Sequence, residues 1–315
     1  MEGARDGAPR PRRGRWAGRL GFGLTGAARE DARLGRLMVL PAIAFTAVLV
    51  IYPMVLGLST SVHESTGTIG APSDFVGAQN YTALVDQPSV GSSTLHTLRY
   101  VGAALFLEIV LGIALAVLLH RAFRGRGLVL AILILPWALP TVVSGVMWKR
   151  IFDPDTGLLN SLLLSAGIID HPEVWFANTG WATAFITLVH VWGVLPLVTL
   201  VFLAGLQSIP EEVYSASSVD GASTWRQFRY ITLPLLRPSI AVALTVGTVA
   251  SINIFDEIYV LNGTALNTRS ILMEVYTMTF ANSEFAQGTA LAFAVAAATA
   301  LLAGLYVLAL RRRTV

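Results

Sequence analysis

Long apolar segments alternate with short polar ones along the chain, and this alternation is the dominant pattern of the sequence. A helix needs about 20 apolar residues to cross the hydrocarbon core of a bilayer. Six segments reach that length, so the pattern predicts an all-α, polytopic membrane protein with about six transmembrane helices. The segments are Leu37–Ser61, Thr94–Leu119, Gly127–Phe152, Gly180–Leu206, Ser239–Leu261 and Ala286–Leu310.

The basic residues lie mainly on one side of this six-helix arrangement. Of the 22 Lys and Arg residues, 18 precede the first segment, follow the sixth, or lie between the second and third or the fourth and fifth. Basic loops stay in the cytoplasm, so both termini are predicted to be cytoplasmic. The exceptions fall at predicted outer ends or loops, where long side chains can reach the interface. They are Arg99, Lys149, Arg150 and Arg269.

The two ends of the chain differ in composition from the apolar segments. Residues 1–36 are rich in Arg, Gly, Pro and Ala, which predicts a disordered basic cytoplasmic tail. Residues 311–315 form a short basic cytoplasmic end, and residues 37–310 form the transmembrane domain. A cleaved signal peptide is the alternative for the first apolar segment. Its apolar region would run for about 7–15 residues, and the longer segment here favours a membrane anchor.

Composition excludes several other classes of protein. The chain is 54% hydrophobic and 13% charged, whereas soluble domains carry about 25% charged residues. It contains no Cys, which excludes disulfides, zinc–thiolate sites and a cysteine nucleophile. The isoelectric point near 9.4 comes from arginines distributed by membrane side, so we expect no nucleic-acid partner.

The polar segment 207–236, between the fourth and fifth apolar segments, carries strong helix-boundary signals. Ser208 and Glu211 have the spacing of a capping box, and Gly221 suits the left-handed position just beyond a helix end. Ser223 is placed to cap a second short helix. The sequence therefore predicts two short helices joined by a turn. Such an element either docks a partner protein or rests on lipid headgroups.

The same segment resembles the cytoplasmic coupling loop of binding-protein-dependent ABC importer permeases. That family has Glu-Ala-Ala, two variable residues, Asp-Gly-Ala, and a later Leu-Pro. Here the order is Ser215-Ala216-Ser217, then Asp220-Gly221-Ala222, then Leu233-Pro234. Serines replace the family's glutamate and its second alanine. The resemblance implies that the residues coupling the chain to an ATPase are Ser215, Ala216, Asp220, Gly221 and Ala222.

Further matches extend this resemblance over roughly residues 37–310, and they point to the sugar branch related to the maltose and glycerol-phosphate permeases. They are Tyr52-Pro53, Phe75-Val76-Gly77 with Asn80-Tyr81, Trp148–Asn160, Phe255–Leu261 and Gly288–Ala292. The family's Thr-Gly-Gly-Gly-Pro turn is replaced by the residues Asn262–Leu266.

The resemblance implies the fold, location and partners of the chain. It implies a type I importer permease fold over residues 37–310, in the cytoplasmic (inner) membrane. It also implies that the chain forms half of a solute path, for a sugar or sugar derivative. The implied partners are a second, different permease subunit, two ATP-binding-cassette subunits and an extracytoplasmic solute-binding protein.

A transporter driven by ATP needs a nucleotide-binding site, either in its own chain or in a partner. A phosphate-binding P-loop needs Gly-Lys followed by Ser or Thr, but Lys149, the only lysine, follows Trp148. The chain is therefore not expected to be an enzyme or to hold a cofactor; by resemblance, ATP and Mg belong to the separate ATPase. The alternative is an ion-coupled secondary transporter that uses Glu108, halfway along the second segment. The coupling-loop pattern favours the other interpretation, that Glu108 is a paired structural residue.

Three polar residues near the end of the fifth apolar segment are the predicted substrate-path residues. Asn253, Asp256 and Glu257 have i, i+3, i+4 spacing, so they would share one face of a continuous helix. Their amide and carboxylate groups suit the hydroxyls of a sugar. The other interpretation is that they cap the helix and anchor the loop. The single histidines His120 and His190 receive no role from the sequence.

Overall fold

The computed structural model describes residues 26–64 and 73–311. Most of the predicted tail 1–36, and nearly all of the basic end 311–315, lie outside this range. The chain divides into two units, Met1–Val55 and Leu56–Val315. In the first unit, helix α1 spans Gly26–Thr46 and so begins before the predicted first span. A π-helical turn at Ala47–Ile51 follows it.

The second unit is built from helices over the residues that the structure describes there. Helix α2 runs Tyr52–Ser61, from the first unit into the second. The other helices are α3 Gln79–Val85, α4 Pro88–His120, α5 Arg126–Ala138, α6 Thr141–Ile151, α7 Leu158–Ser165, α8 Thr179–Gln207, α9 Glu211–Val219, α10 Thr224–Gln227, α11 Leu233–Leu235, α12 Arg237–Ile252, α13 Asp256–Asn262, α14 Ile271–Tyr276 and α15 Phe285–Arg311. Short π-helical or 3₁₀ segments lie at Trp175–Ala177, Phe228–Thr232, Leu266–Thr268 and Thr277–Ala281.

Long apolar helices confirm the predicted number of spans. Among the residues that the structure describes, four helical stretches are long and apolar enough to cross a membrane unaided, and two bent pairs of helices bring the number to as many as six. The four continuous stretches are Leu37–Ser61, Pro88–His120, Thr179–Gln207 and Phe285–Tyr306.

The third and fifth predicted spans are not continuous, which corrects the sequence-based boundaries. The predicted span Gly127–Phe152 is divided into α5 and α6, which meet at an angle of 101°. Leu139 is extended there because Pro140 disfavours helical geometry in the residue before it. The fifth, Ser239–Leu261, is divided because α12 ends at Ile252 and α13 begins at Asp256. Before that span, the stretch Thr224–Leu235 meets α12 at 64°.

Helices α4 and α8 pack closely along part of their length. A Cβ atom added at Gly112 of α4 would lie 2.9 Å from Val198 Cγ1 and 3.1 Å from the ring of Phe202 in α8. Small residues allow such close approach between membrane helices. Ile113 and Leu119 of α4 join the same buried apolar cluster. This packing brings the middle of α4, with Glu108, against the middle of α8.

Candidate functional site

The loop 207–236 has the predicted two-helix form but begins differently. Ser208 does not cap α9: its Oγ donates a hydrogen bond to the carbonyl of Gly205 at 2.7 Å. Because α8 continues to Gln207, Ser208 closes α8 and its hydroxyl is used there. Pro210 is the residue before α9, without a side-chain cap. The predicted capping box between Ser208 and Glu211 is therefore wrong.

The end of α9 matches the expected turn. Gly221 has φ +75°, in the left-handed region. Its N–H donates to the carbonyl of Ser218 at 3.1 Å, and the N–H of Ala222 donates to the carbonyl of Ser217 at 3.0 Å. These two bonds form a Schellman motif. Apart from Gly221 itself and its two chain neighbours, no atom of the described residues lies within 4 Å of a Cβ built at Gly221, so this position requires glycine for its backbone and not for space.

Side-chain hydrogen bonds fix α9 against α10. Gln227 Nε2 donates to Ser217 Oγ at 3.0 Å and to Ser218 Oγ at 2.9 Å. The predicted Ser223 cap is present, since its Oγ accepts from the N–H of Arg226 at 3.4 Å. Ser217, which replaces an alanine of the family pattern, therefore takes part in joining the two short helices.

The surface of this loop carries exposed apolar side chains beside the predicted coupling residues. Val219 is 89% exposed, and Trp225 and Tyr230 are each 69% exposed. Ser215, Ala216, Asp220 and Gly221 are exposed on the same loop, and Ala222 is half-buried.

The predicted one-face arrangement of the three substrate-path residues is wrong. Asn253 closes α12 and is exposed, with its Nδ2 donating to the carbonyl of Val249 at 2.8 Å. Asp256 and Glu257 begin the separate helix α13. The break is stabilised because Ser270 Oγ donates to the carbonyl of Ile254 at 2.7 Å. Asp256 is half-buried and Glu257 is buried.

Glu257 instead belongs to a buried polar cluster. His190 of α8 contacts Glu257 Oε1 through Nδ1 at 3.0 Å. Its Nε2 lies 3.3 Å from Ser251 Oγ and 3.9 Å from Glu108 Oε1. The side chains of His190 and Glu108 are 4% and 1% exposed. Four helices, α4, α8, α12 and α13, thus contribute to this cluster, which sequence reasoning missed because it gave His190 no role.

Helix α12 approaches Glu108 closely at Gly247. A Cβ atom at Gly247 would overlap the Glu108 carboxylate and lie 2.8 Å from Leu105 Cδ2. Within the described part of the chain, neither carboxylate oxygen of Glu108 has a hydrogen-bond donor. Glu108 is thus enclosed by packing, and His190 is the ionisable partner that the structure brings near it.

A cavity of about 240 Å³ opens beside the cluster. His190 and Glu257 contribute its ionisable groups, and Ser144 a hydroxyl. The broken segment between α5 and α6 supplies much of the remaining wall. The other lining residues are Pro136, Trp137, Leu139, Thr141, Val189, Gly193 and Val194. Non-helical backbone at membrane depth is tolerated where it is buried or lines a cavity, and broken membrane helices commonly form solute sites in transporters.

Comparison with known proteins gives the chain a clear set of relatives. The model of the family "Binding-protein-dependent transport system inner membrane component" matches residues 108–315. A trehalose/maltose transport system permease protein, MalF of Thermococcus litoralis, is 36% identical over 234 residues, covering 74% of this chain and 78% of the relative. The trehalose transport system permease protein SugA of Mycobacterium tuberculosis is 30% identical over 288 residues, covering 91% of each chain.

A third relative and a solved structure extend the comparison over nearly the whole chain. The sulfoquinovosyl glycerol transport system permease protein SmoG of Agrobacterium fabrum is 33% identical over 289 residues, covering 90% of this chain and 92% of the relative. A chain of a bacterial ABC transporter that imports the acidic polysaccharide alginate aligns with a TM-score of 0.79 at 22% identity, covering 91% of this chain and 98% of that one. It shows the same fold. The chain therefore belongs to the family of inner-membrane components of binding-protein-dependent transport systems.

Proposed function

We propose that the chain is a permease subunit of an ATP-driven importer for a sugar, and that its half of the solute path includes the cavity beside His190 and Glu257. The observation that carries this proposal is a cavity bordered by broken membrane helices and lined by buried groups that hydrogen-bond hydroxyls. The names of the trehalose and maltose relatives support a sugar. Asn253 and Asp256 remain predicted path residues, and nothing in the comparisons favours the ion-coupled alternative at Glu108.

The loop 207–236 is proposed to dock a separate ATPase. Its exposed Val219, Trp225 and Tyr230 supply an apolar surface, and the Schellman turn at Gly221 fixes the angle at which α9 and α10 present it. The coupling residues remain those of the family pattern. ATP and Mg then bind the ATPase, and this chain holds no cofactor.

The proposed assembly contains partners beyond the ATPase. A second, different permease subunit completes the solute path, two ATP-binding-cassette subunits supply energy, and an extracytoplasmic binding protein delivers the solute. A related structure of the alginate transporter, in complex with a periplasmic protein bound to an alginate pentasaccharide, has a chain that aligns with a TM-score of 0.76, which supports this last partner.

The central test is uptake by the complete importer in a host without sugar importers of its own. Cells that express the chain with its partner subunits should accumulate labelled trehalose or maltose, and His190→Ala should reduce uptake about tenfold because Glu257 loses its buried partner. Glu284→Gln, which changes a carboxylate outside the cavity, is the control. Full uptake by the His190→Ala protein at normal membrane levels would exclude this cavity from the path.

The proposed membrane orientation has its own test. Residues 1–36 precede the permease domain 37–310 and residues 311–315 follow its last predicted span, and both segments are proposed to lie in the cytoplasm. Reporter domains inserted at Asp74 and fused after the last residue should therefore report opposite sides of the membrane. If both report the same side, the arrangement derived from the basic residues is wrong.

A further inference from the structure

Acidic side chains outnumber basic ones beside the cavity. Two carboxylates, Glu108 and Glu257, lie on either side of one imidazole, His190. No Arg or Lys is among the residues lining this cavity. Ser251, the remaining polar neighbour of His190, is uncharged. The cluster therefore has an excess of acidic groups that no Arg or Lys of residues 26–64 and 73–311 balances by an ion pair.

The hydrogen bonds constrain where the protons lie. An ionised carboxylate only accepts hydrogen bonds, so Glu257 requires a proton on His190 Nδ1. The other ring nitrogen, Nε2, faces Glu108, whose oxygens lack other donors within the described residues. One further proton, on either His190 or Glu108, avoids leaving a buried carboxylate without a compensating charge. Whether that proton lies on His190 or on Glu108, the cluster carries one net negative charge.

We propose that the Glu108–His190–Glu257 cluster selects solutes by charge, so that the cavity accepts neutral and amine-bearing sugars and disfavours anionic sugars. This inference rests on the proposed function, because it assumes that the cavity is part of the sugar path. A negative charge is felt strongly in a poorly hydrated cavity, since little water screens it. A sugar carboxylate beside Glu257 would be repelled, whereas a hydroxyl or ammonium group would donate a hydrogen bond to it.

Glu108 lies behind His190 as seen from the cavity. It does not line the cavity, and it faces Nε2 of His190 on the side away from Glu257. Because one proton lies on either Glu108 or His190, that pair carries no net charge, and the negative charge of the cluster resides on Glu257. Replacing Glu257 by the isosteric Gln therefore removes the charge beside the cavity while keeping the size and shape of the side chain.

The test measures sugar binding to the importer assembly in lipid nanodiscs, without its binding protein, because that protein imposes a specificity of its own. Saturation-transfer difference NMR compares three probes of matched shape: methyl glucoside, methyl glucuronide and glucosamine. The wild type should bind the glucuronide about tenfold more weakly than the glucoside, and glucosamine at least as well as the glucoside. Glu257→Gln should reduce this discrimination, whereas Glu284→Gln should not.

The outcomes separate this inference from the function on which it rests. Equal binding of glucoside and glucuronide by the wild type, or unchanged discrimination in Glu257→Gln, overturns selection by charge. If His190→Ala abolishes glucoside binding in that case, the sugar path still includes the cavity. If no sugar binds the wild type, or if His190→Ala binds all three normally, the path lies elsewhere and both proposals are wrong. Co-purification of the partner subunits shows that each variant is assembled, and the comparison of glucoside with glucuronide in the wild type tests the proposal without any variant.

Discussion

Replacing Gly221 by Val tests whether the turn after α9 couples ATP hydrolysis to transport. Gly221 has φ +75°, and nothing lies within 4 Å of a Cβ built there. The substitution therefore causes no collision, and its whole effect comes from the backbone. A β-branched residue tolerates this conformation poorly, so the turn should open and change the angle between α9 and α10.

The magnitude follows from the cost of the left-handed conformation. An ordinary L-residue loses roughly 1–2 kcal/mol there, which corresponds to about a 5- to 30-fold fall in the population of the turn. Val should cost more than Ala, and Asn less than either, because Asn visits this region readily. Uptake and retention of the ATPase should therefore decrease in the order Gly, Asn, Ala, Val.

The assay measures sugar uptake and co-purification of the ATPase for the Gly221 series at equal membrane levels. Gly125 gives a matched control, because it also has positive φ, at +91°, and free space at its Cβ. Gly125→Val should carry a similar backbone cost and leave ATPase binding intact. Wild-type uptake and co-purification in Gly221→Val would show that this turn is not the coupling element.

Two further substitutions test the packing of the membrane domain by thermal unfolding of the purified protein. Arg269 Nη1 lies 2.8 Å from Glu274 Oε2 in a largely buried ion pair, so Glu274→Ala should lower the free energy of unfolding by about 3–5 kcal/mol. The double variant R269A/E274A should lower it less, because no lone buried charge remains. An equal loss of stability in both variants would refute this. Gly247→Ala should lower the free energy of unfolding by about 1–3 kcal/mol, because the added methyl group presses against Glu108. The control Gly102→Ala, with free space at its Cβ, should cost nothing. Equal stability of the two variants would argue against the close approach of α12 to Glu108.

The sequence predicted the helical spans well because each depends on a property summed over about 20 residues. It also predicted the turn at Gly221, since the signals for that turn are local. It failed where a boundary depends on residues distant in sequence. The break after Ile252 contains no Pro or Gly, and the Ile254 carbonyl that it frees is bonded by Ser270. Hydropathy alone gives no sign of such a partner.

His190 received no role from the sequence for a different reason. His190 was considered alone, as one histidine in an apolar helix, and in isolation such a residue indicates nothing. Ionisable groups inside membrane helices are costly unless they pair, so each one predicts a partner on another helix. Glu108, His190 and Glu257 all lie in predicted spans, but so do other ionisable residues such as Asp256, and the sequence therefore allows several pairings. Which helices meet was the missing information, and the close contact of α4 with α8 and α12 at Gly112 and Gly247 supplies it. Those two glycines therefore locate the charged cluster as much as the charged residues do.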